Sequence, residues 1–554
     1  MQKIIKMKET SKNHKPIFEF LYAYKKEIKG IYVFSLLSGM VELTLPLGVQ
    51  TIIGLVMGAQ MITSIYVLIG MVTLGVLFSG IIQMNQMKLI EKVQQKIFAD
   101  IAFEFASKIP RLDLKKMDKS YLPEKVNRFF DTLNIQKGIS KILLDIPLAS
   151  IQIILGLILL ALYHPIFMAL GILLLVILFL IFKITFQNGI STSLEESNYK
   201  YQVVAWFEEI ARTIKSFKLG KINEISLQKT DDNVEKYLGA RTKHFEILLI
   251  QFISLISSKV VITFSMLSIG TYLLLNQLLN IGEFIAAEIV ILMVIGAVSK
   301  LISSLDSFYD VLTGIEKIKL ITEAPLESSG SIQLENSLEG HELQVKDLSF
   351  GFDEKNPVLE NINLSVKSNE KICISGGDGS GKSTLIRVLS GNYSDFQGTI
   401  LINNIPIQNY NLYTLRNQIG ILLKQQDIFQ GTLWENIELG RKGIHPTDVI
   451  HLAQKLGFGN FLEQFPNGFD TILDPTGKKI PFTNTKKILL LRALVNSPRL
   501  LLMEEPWADL GKDLKPIVIE YFLQLKNTTC IIISNDSEFA SKCNQQLNLI
   551  NGTF

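Results

Sequence analysis

The sequence predicts a membrane α-helical bundle of six transmembrane helices with long cytoplasmic extensions, followed by a C-terminal α/β domain. Three observations carry this expectation. Nearly all long apolar runs of the 554-residue chain lie before about residue 305. Between them, two charged links at about 85–140 and 187–245 keep a helical pattern. From about residue 341, short strand-like runs alternate with helical ones around a glycine-rich stretch at 376–384. A hydrophobic content of 48%, so unevenly spread, separates the chain from ordinary soluble enzymes. The net charge of +3 gives no reason to expect nucleic acid as a partner. Cys373, Cys530 and Cys543 have no paired spacing and suit a reducing compartment better than a disulfide framework or a metal site.

Crossing the hydrocarbon core takes about 20 mostly apolar residues in a helix. Six segments qualify: 31–57, 62–84, 141–163, 165–186, 246–275 and 282–303. Runs such as GILLLVILFLIF at 171–182 are apolar on every side, which suits lipid better than one soluble core. The short links GAQMI (58–62), around His164-Pro165 and around 276–281 carry almost no charge. The N-terminal tail and the two long links are rich in Lys and Arg, so the positive-inside rule puts them, and both termini, in the cytoplasm. Residues 1–30 have no apolar core followed by a small-residue cleavage site, hence no expected removable signal. Within them, PIFEFLYAYKK (16–26) is expected to lie along the inner membrane surface or to form a solvated helix. Ionisable residues inside the spans are few: Glu42, Asp145, Lys259 and Glu288. Lys259 and Glu288 are expected either to pair between the last two spans or to line a substrate path.

A polar linker at 323–340 separates the membrane region, 31–322, from the soluble domain, 341–554. There the strand-like KICIS (371–375) leads into Gly376-Gly377-Asp378-Gly379-Ser380-Gly381-Lys382-Ser383-Thr384, which fits G-x-x-x-x-G-K-[ST], and a helical run follows. Glycines let backbone N–H groups curl around phosphate oxygens, and a helix N-terminus adds its dipole. Lys382 would reach the β- and γ-phosphates of ATP, and the Ser383 hydroxyl would hold Mg²⁺. A second apolar strand, 500–503, ends in Glu504-Glu505, two carboxylates placed for a metal and water site beside the phosphates.

Six spans, two long links and a C-terminal α/β P-loop NTPase domain resemble one half of an ABC transporter of the exporter type, over the whole chain. Further stretches carry the resemblance in order: LSFGF (348–352), LRNQIGILLKQQDIFQGTLWENI (415–437), LEQFPNGFDT (462–471) and the helix around Arg492. VQQKIF (93–98) and FEFASKIP (103–110) look most like type I secretion exporters. The resemblance implies that Phe352 stacks on adenine, in place of the usual Tyr. It implies that Glu505 is the catalytic base, that Glu504 replaces the metal-binding aspartate, and that residues near 116–126 and 205–215 are coupling helices. It also implies departures. Lys424 stands at the Q-loop glutamine position unless a one-residue slip brings Gln425 there, and Asn535 stands at the switch-histidine position. The D-loop stretch Ala508-Asp509-Leu510-Gly511 lacks its final aspartate. Ile480-Pro481-Phe482-Thr483-Asn484 replaces LSGGQ, leaving Thr483 and Asn484 to bond a partner's phosphate where Pro481 has no N–H and Phe482 is bulky.

The expected function is therefore that of an ATP-binding and permease half-transporter in the inner membrane. It would work as a homodimer or as a heterodimer with a second ABC half-transporter, exporting a polypeptide, with a periplasmic adaptor, or an amphiphile. Its ATPase is expected to be weak. The alternative expectation is an ATP-binding but catalytically silent subunit that scaffolds or regulates a partner transporter.

Overall fold

A computed structural model describes residues 20–58, 62–117, 121–220, 223–335, 337–353, 356–424, 426–474 and 480–554. Most of the N-terminal segment, the 59–61 part of the first short link, residues 118–120 of the first long link and the Gln425 alternative lie outside them. The chain divides into two units: Met1–Pro110 with Ser120–Ala324, and Arg111–Lys119 with Pro325–Phe554.

The first unit is helical. Its long elements are α1 (Lys25–Glu42), α2 (Thr44–Met57), α3 (Ile62–Lys108), α4 (Asp131–Tyr163), α5 (Pro165–Arg212), α6 (Asn223–Leu275) and α7 (Ile281–Thr322). Six stretches of this set are long and apolar enough to cross a membrane. At 1.5 Å per residue, the 53-residue α6 is about 80 Å long, far beyond a hydrocarbon core of about 30 Å. The long links are thus mainly continuations of the spans. Leu162, Phe179 and Phe264 are exposed on the outside of the bundle, and the most apolar windows of the first two spans are only 11% buried. Such surfaces need lipid, not water, as their neighbour.

Helix ends follow local chemistry. Pro165 opens α5 at the position where its missing N–H costs nothing. Asn280 and Glu283 cap α7 reciprocally, with Glu283 N donating to Asn280 Oδ1 at 2.8 Å and Asn280 N to Glu283 Oε2 at 2.9 Å. The first span departs from its expectation as one uninterrupted segment. It breaks at Leu43 into α1 and α2, because Pro46 cannot donate to the carbonyl of Glu42 four residues back. Ahead of it, Tyr24 is buried and donates to Asp100 Oδ2 at 2.9 Å, which anchors the visible end of the aromatic-lysine segment to α3.

Close packing holds the bundle where side chains are small. A Cβ on Gly138 of α4 would lie 2.9 Å from the carbonyl oxygen of Ser307 on α7. One on Gly189 of α5 would meet the Tyr309 ring at 2.4 Å. Lys259 and Glu288 form no ion pair, a correction with a simple cause. Measured from the turn near Leu278, they sit about nine residues apart in depth, or about 13 Å of helix rise. Lys259 instead lines a cleft of about 670 Å³ with Phe252, Ser299, Lys300 and Asp306. Asp145 accepts from Ser304 Oγ at 3.4 Å.

The second unit holds two sheets. The antiparallel one runs β2-β1-β4-β5, with β1 Leu343–Asp353, β2 Asn356–Val366, β4 Gln397–Ile402 and β5 Ile405–Pro406. The parallel one runs β9-β3-β8-β7-β6, with β3 Lys371–Ser375, β6 Ile419–Leu422, β7 Leu500–Glu504, β8 Thr529–Ile533 and β9 Gln545–Asn548. Its central strands are apolar on both faces, as a covered parallel sheet requires. Ile372, Leu502 and Ile531 point into one core, while Cys373, Met503 and Ile532 point into the other. All three cysteines are free thiols. The segment Arg111–Lys119 belongs to this unit. Leu112 bridges Leu326, and Lys115 Nζ pairs with Asp395 Oδ2 at 2.8 Å while standing 4.9 Å over the Phe350 ring. The docked part of the first link thus begins at Arg111, ahead of the expected 116–126.

A candidate nucleotide site

The carboxyl ends of β3, β8, β7 and β6 lie along one edge of the parallel sheet, the edge where open α/β sheets place their ligands. From β3 the chain turns through Gly376, Gly379 and Gly381, with φ of 154°, 79° and 99°, into helix α8 (Lys382–Leu389). Only glycine takes these angles freely. Gly376 has a further reason: a Cβ there would lie 2.4 Å from the Leu549 carbonyl oxygen. Gly377 and Gly379 face open space, so the loop is a cradle and not a packed turn. Lys382 Nζ sits in it, donating to the carbonyls of Gly376 (2.8 Å) and Gly377 (2.6 Å) and to Ser380 Oγ (3.3 Å). Thr384 follows inside α8.

Around the cradle the sheet edge supplies acceptors and donors. Ser383 Oγ donates to Glu504 Oε1, and the Lys424 backbone N–H donates to Glu504 Oε2 at 3.0 Å. Glu504 is buried, so its carboxylate is held by these partners and not by solvent. Glu505 follows in the left-handed region, φ 44°, and turns its carboxylate to β8, accepting from Ser534 Oγ at 3.1 Å and Asn535 N at 3.4 Å. The Asn535 side chain in turn accepts from Gly376 N at 3.2 Å. Gly376, Lys382, Asn535 and Glu505 are therefore joined by hydrogen bonds, and Ser383 with Glu504 forms a second pair beside them in the chain. Lys424 reaches it through its backbone, with its side chain exposed.

Phe352 stands at the end of β1, edge-on to Tyr393 (5.6 Å between centroids) and to Phe350 (5.3 Å). Across the ladder Gly351 pairs with Pro357, and the carbonyl of Val358 lies 3.0 Å from where a Gly381 Cβ would be. The hairpin thus brings Phe352 to the rim of the loop. Thr483 and Asn484 lie elsewhere, in the first turn of α9 (Phe482–Leu494), whose N-cap is Pro481. The N–H groups of Asn484 and Thr485 are both taken by the Pro481 carbonyl, at 2.8 and 3.2 Å, and Asn484 Nδ2 donates to Gln464. Phe482 is 67% exposed.

Sequence reasoning missed Lys486. It is a buried side chain on α9 whose ammonium is held below the ordinary lysine range by burial, against the opposing pull of Asp509, Glu505 and Glu504. Only its place within the apolar run KKILLL hinted at burial. Arg492, two turns on, donates to the carbonyls of Asn436 (2.6 Å) and Asp427 (3.1 Å), tying α9 to the stretch that carries Lys424.

The residues fit a magnesium nucleotide. An open cradle of N–H groups with a lysine inside it suits phosphate, and a hydroxyl meeting a buried carboxylate beside it suits a hard cation.

Comparison with known proteins agrees with this geometry. The ABC transporter transmembrane region matches residues 30–298, and the ABC transporter domain matches residues 359–508. An uncharacterized ABC transporter ATP-binding protein, YwjA of Bacillus subtilis, is 27% identical over 49% of this chain and 48% of its own length. The alpha-hemolysin translocation ATP-binding protein HlyB of Escherichia coli O157:H7 is 27% identical over 51% of this chain and 40% of its own. An ATP-dependent lipid A-core flippase of Syntrophus aciditrophicus is 30% identical over 35% and 32%. The chain thus spans half or less of the length of these relatives in the matched regions. In fold, a bacterial Atm1-family ABC exporter solved with ATP bound superposes with a TM-score of 0.85 at 17% identity, over 96% of this chain and 95% of that one. With six helices long and apolar enough to cross a membrane among its described residues and a phosphate-loop domain in the same polypeptide, the chain belongs to the ABC transporters, as a half-transporter of exporter architecture.

Proposed function

We propose that the chain binds Mg·ATP in the cytoplasm and works in the inner membrane as one half of a dimeric exporter, turning ATP over slowly. The single observation that carries the reading is the placement of Lys382 inside the glycine cradle, next to Ser383, whose hydroxyl is bonded to Glu504 at the sheet edge. When bound, the nucleotide would supply the phosphoryl bond whose cleavage resets the exporter. The chain's own residues would act as follows. Lys382 exchanges its bonds to the Gly376 and Gly377 carbonyls for phosphate oxygens. Ser383 and Glu504 would hold the cation. Glu505, oriented by the Ser534 hydroxyl, accepts the proton of an attacking water. Phe352 gives the base an aromatic edge at the rim.

Slow turnover rests on what the second half of such a site would receive. In the resembling family each ATP lies between one protomer's phosphate loop and its partner's signature stretch. Here that stretch is Ile480–Asn484, where Pro481 brings no N–H, Phe482 projects outward and the Asn484 N–H is taken by the Pro481 carbonyl, so the cradle loses backbone donors. The docked helix Leu114–Met117, held by Lys115, suits a coupling role for the first link. The second expected tip, 205–215, covers the end of α5 and the start of the short helix Ile214–Leu219, and the turn between them suits the same role. Homology to HlyB and to a lipid A-core flippase supports export of a polypeptide, with an adaptor, or of an amphiphile. Charge in the long links supports cytoplasmic termini.

A second reading has its own support. The replacement of LSGGQ and the Asn535 substitution favour an ATP-binding subunit that regulates a complete partner. The test is ATP binding and hydrolysis by the full chain in lipid nanodiscs, alone and with a candidate partner. Lys382→Ala should weaken ATP binding by about 10- to 100-fold. Measurable turnover that Glu505→Gln abolishes supports the exporter half, and background turnover with every partner supports the regulatory subunit. Unchanged ATP binding in Lys382→Ala overturns both.

A further inference from the structure

The first unit holds a carboxylate that the nucleotide chemistry does not use. Glu42 is the last residue of α1, within the first span, and is half-buried. Side chains from three helices converge on it. Its Oε1 accepts from Ser38 Oγ (3.4 Å), Ser79 Oγ (3.4 Å) and Gln83 Nε2 (3.2 Å), and its Oε2 accepts from Gln152 Nε2. Ser38, Ser79 and Gln152 are themselves buried, and Ser38 and Ser79 also bond each other at 3.1 Å. Among the described residues no Lys, Arg or His lies within ion-pairing distance of Glu42. An ionisable group at membrane depth is costly and normally faces a partner or a cavity.

Two further features carry the same sign. The helix breaks at this residue, and Pro46 leaves the Glu42 carbonyl without its helical donor, so the carbonyl end of the 18-residue α1 falls at the residue that carries the carboxylate. Broken helices in membranes present such poles to cations. One turn from Gln83, the fully buried Gln86 places its Nε2 on Ser35 Oγ (3.1 Å) and leaves its Oε1 with no partner. A carboxylate, a helix carbonyl end and an orphaned amide oxygen thus lie along the α1–α3–α4 seam, all of them acceptors. One carboxylate matches a single positive charge. Its flanking serines and glutamines spend their donors on it, and the described residues hold no group of three metal-ligating side chains, so a divalent metal has no shell here. Next to the cluster the helices pack closely through an apolar contact, a Cβ on Gly39 meeting Ile151 at 2.6 Å.

We infer that the Glu42 cluster recognises a monovalent organic cation, the ammonium group of an exported amphiphile or peptide. This rests on the export reading above and gives it a substrate class.

The test is equilibrium binding of radiolabelled tetrabutylammonium to the full chain in phosphatidylcholine nanodiscs, with ATP binding measured on the same samples. Wild type should bind the cation above protein-free discs. Glu42→Gln should weaken binding by about tenfold or more, Glu42→Asp and Gln152→Ala less, and Glu288→Gln, another intramembrane carboxylate change, not at all. Mg²⁺ should not compete. Equal affinity in wild type and Glu42→Gln, or an equal loss in Glu288→Gln, overturns the inference, as does wild-type binding no better than empty discs. If Glu42→Gln loses ATP binding through misfolding, Glu42→Asp and Gln152→Ala decide the matter, and unchanged affinity in both overturns it. Loss of ATP recognition in wild type sinks the nucleotide reading separately, whatever the cation result.

Discussion

At the scale of single residues, the phosphate loop was legible because its chemistry is contiguous. Glycines at the positions that later take positive φ, a lysine and a serine stand within nine residues, and no tertiary information is needed to see what they could hold. Glu504 was legible as the end of an apolar strand, whereas Asn535, two residues past β8, was legible through the family resemblance alone. Lys486 and Ser534 were not, because burial against carboxylates and a bond across two strand ends exist only once the sheet has formed. The stretch at 480–484 is where a residue-scale prediction bites. If lost backbone donors limit turnover, the combined Pro481→Ser, Phe482→Gly and Thr483→Gly change should raise steady-state ATP hydrolysis by about tenfold or more. ATP affinity should stay near wild type, since single oxyanion-type donors are worth about 100-fold or more in rate. A colorimetric phosphate assay in nanodiscs reads it directly, and an unchanged rate would place the deficit at Asn535 or the D-loop instead.

At the scale of elements, hydropathy averages over a window and so joined α1 to α2 across Pro46, and it said nothing of depth, so Lys259 and Glu288 were weighed as a pair. Lengths fared better: charged helical links next to apolar spans led to helices that run on past the membrane, as α5 and α6 do. Their contacts depend on missing side chains. At Gly138 the obstacle to a larger residue is the Ser307 backbone oxygen, which cannot rotate aside. Gly138→Val should therefore pry α4 from α7 and cost about 1–3 kcal/mol or more, seen as a lowered melting temperature of the membrane unit. A variant as stable as wild type would mean that the two helices are free to shift.

At the scale of the whole molecule, the parallel sheet with two cores follows from strands apolar on both faces, and so was visible as alternating short runs. The soluble unit also carries a pH dependence. His341 is fully buried, and burial first, then the charge of Arg499, holds its imidazole below the ordinary histidine range. Asn403 faces its Nδ1 at 2.9 Å. An unfolded His341 takes up a proton near pH 6.5 while the folded one resists, so stability is present above that value and is lost as pH falls through it toward the lowered folded value. The second unit should melt at a lower temperature at pH 5.5 than at pH 7.5, by a margin that shrinks in His341→Gln. A margin unchanged by the substitution would assign the effect to other groups.

The seating of Lys115 over Phe350, with Leu112 against Leu326, means that the boundary of the soluble domain is not a single cut in the gene. A fragment cloned from Pro325 onward would leave the Phe350 ring without the ammonium above it and Asp395 without its countercharge. Kinetic constants gathered on such a truncated piece would describe a surface that lacks the cation the intact polypeptide seats there.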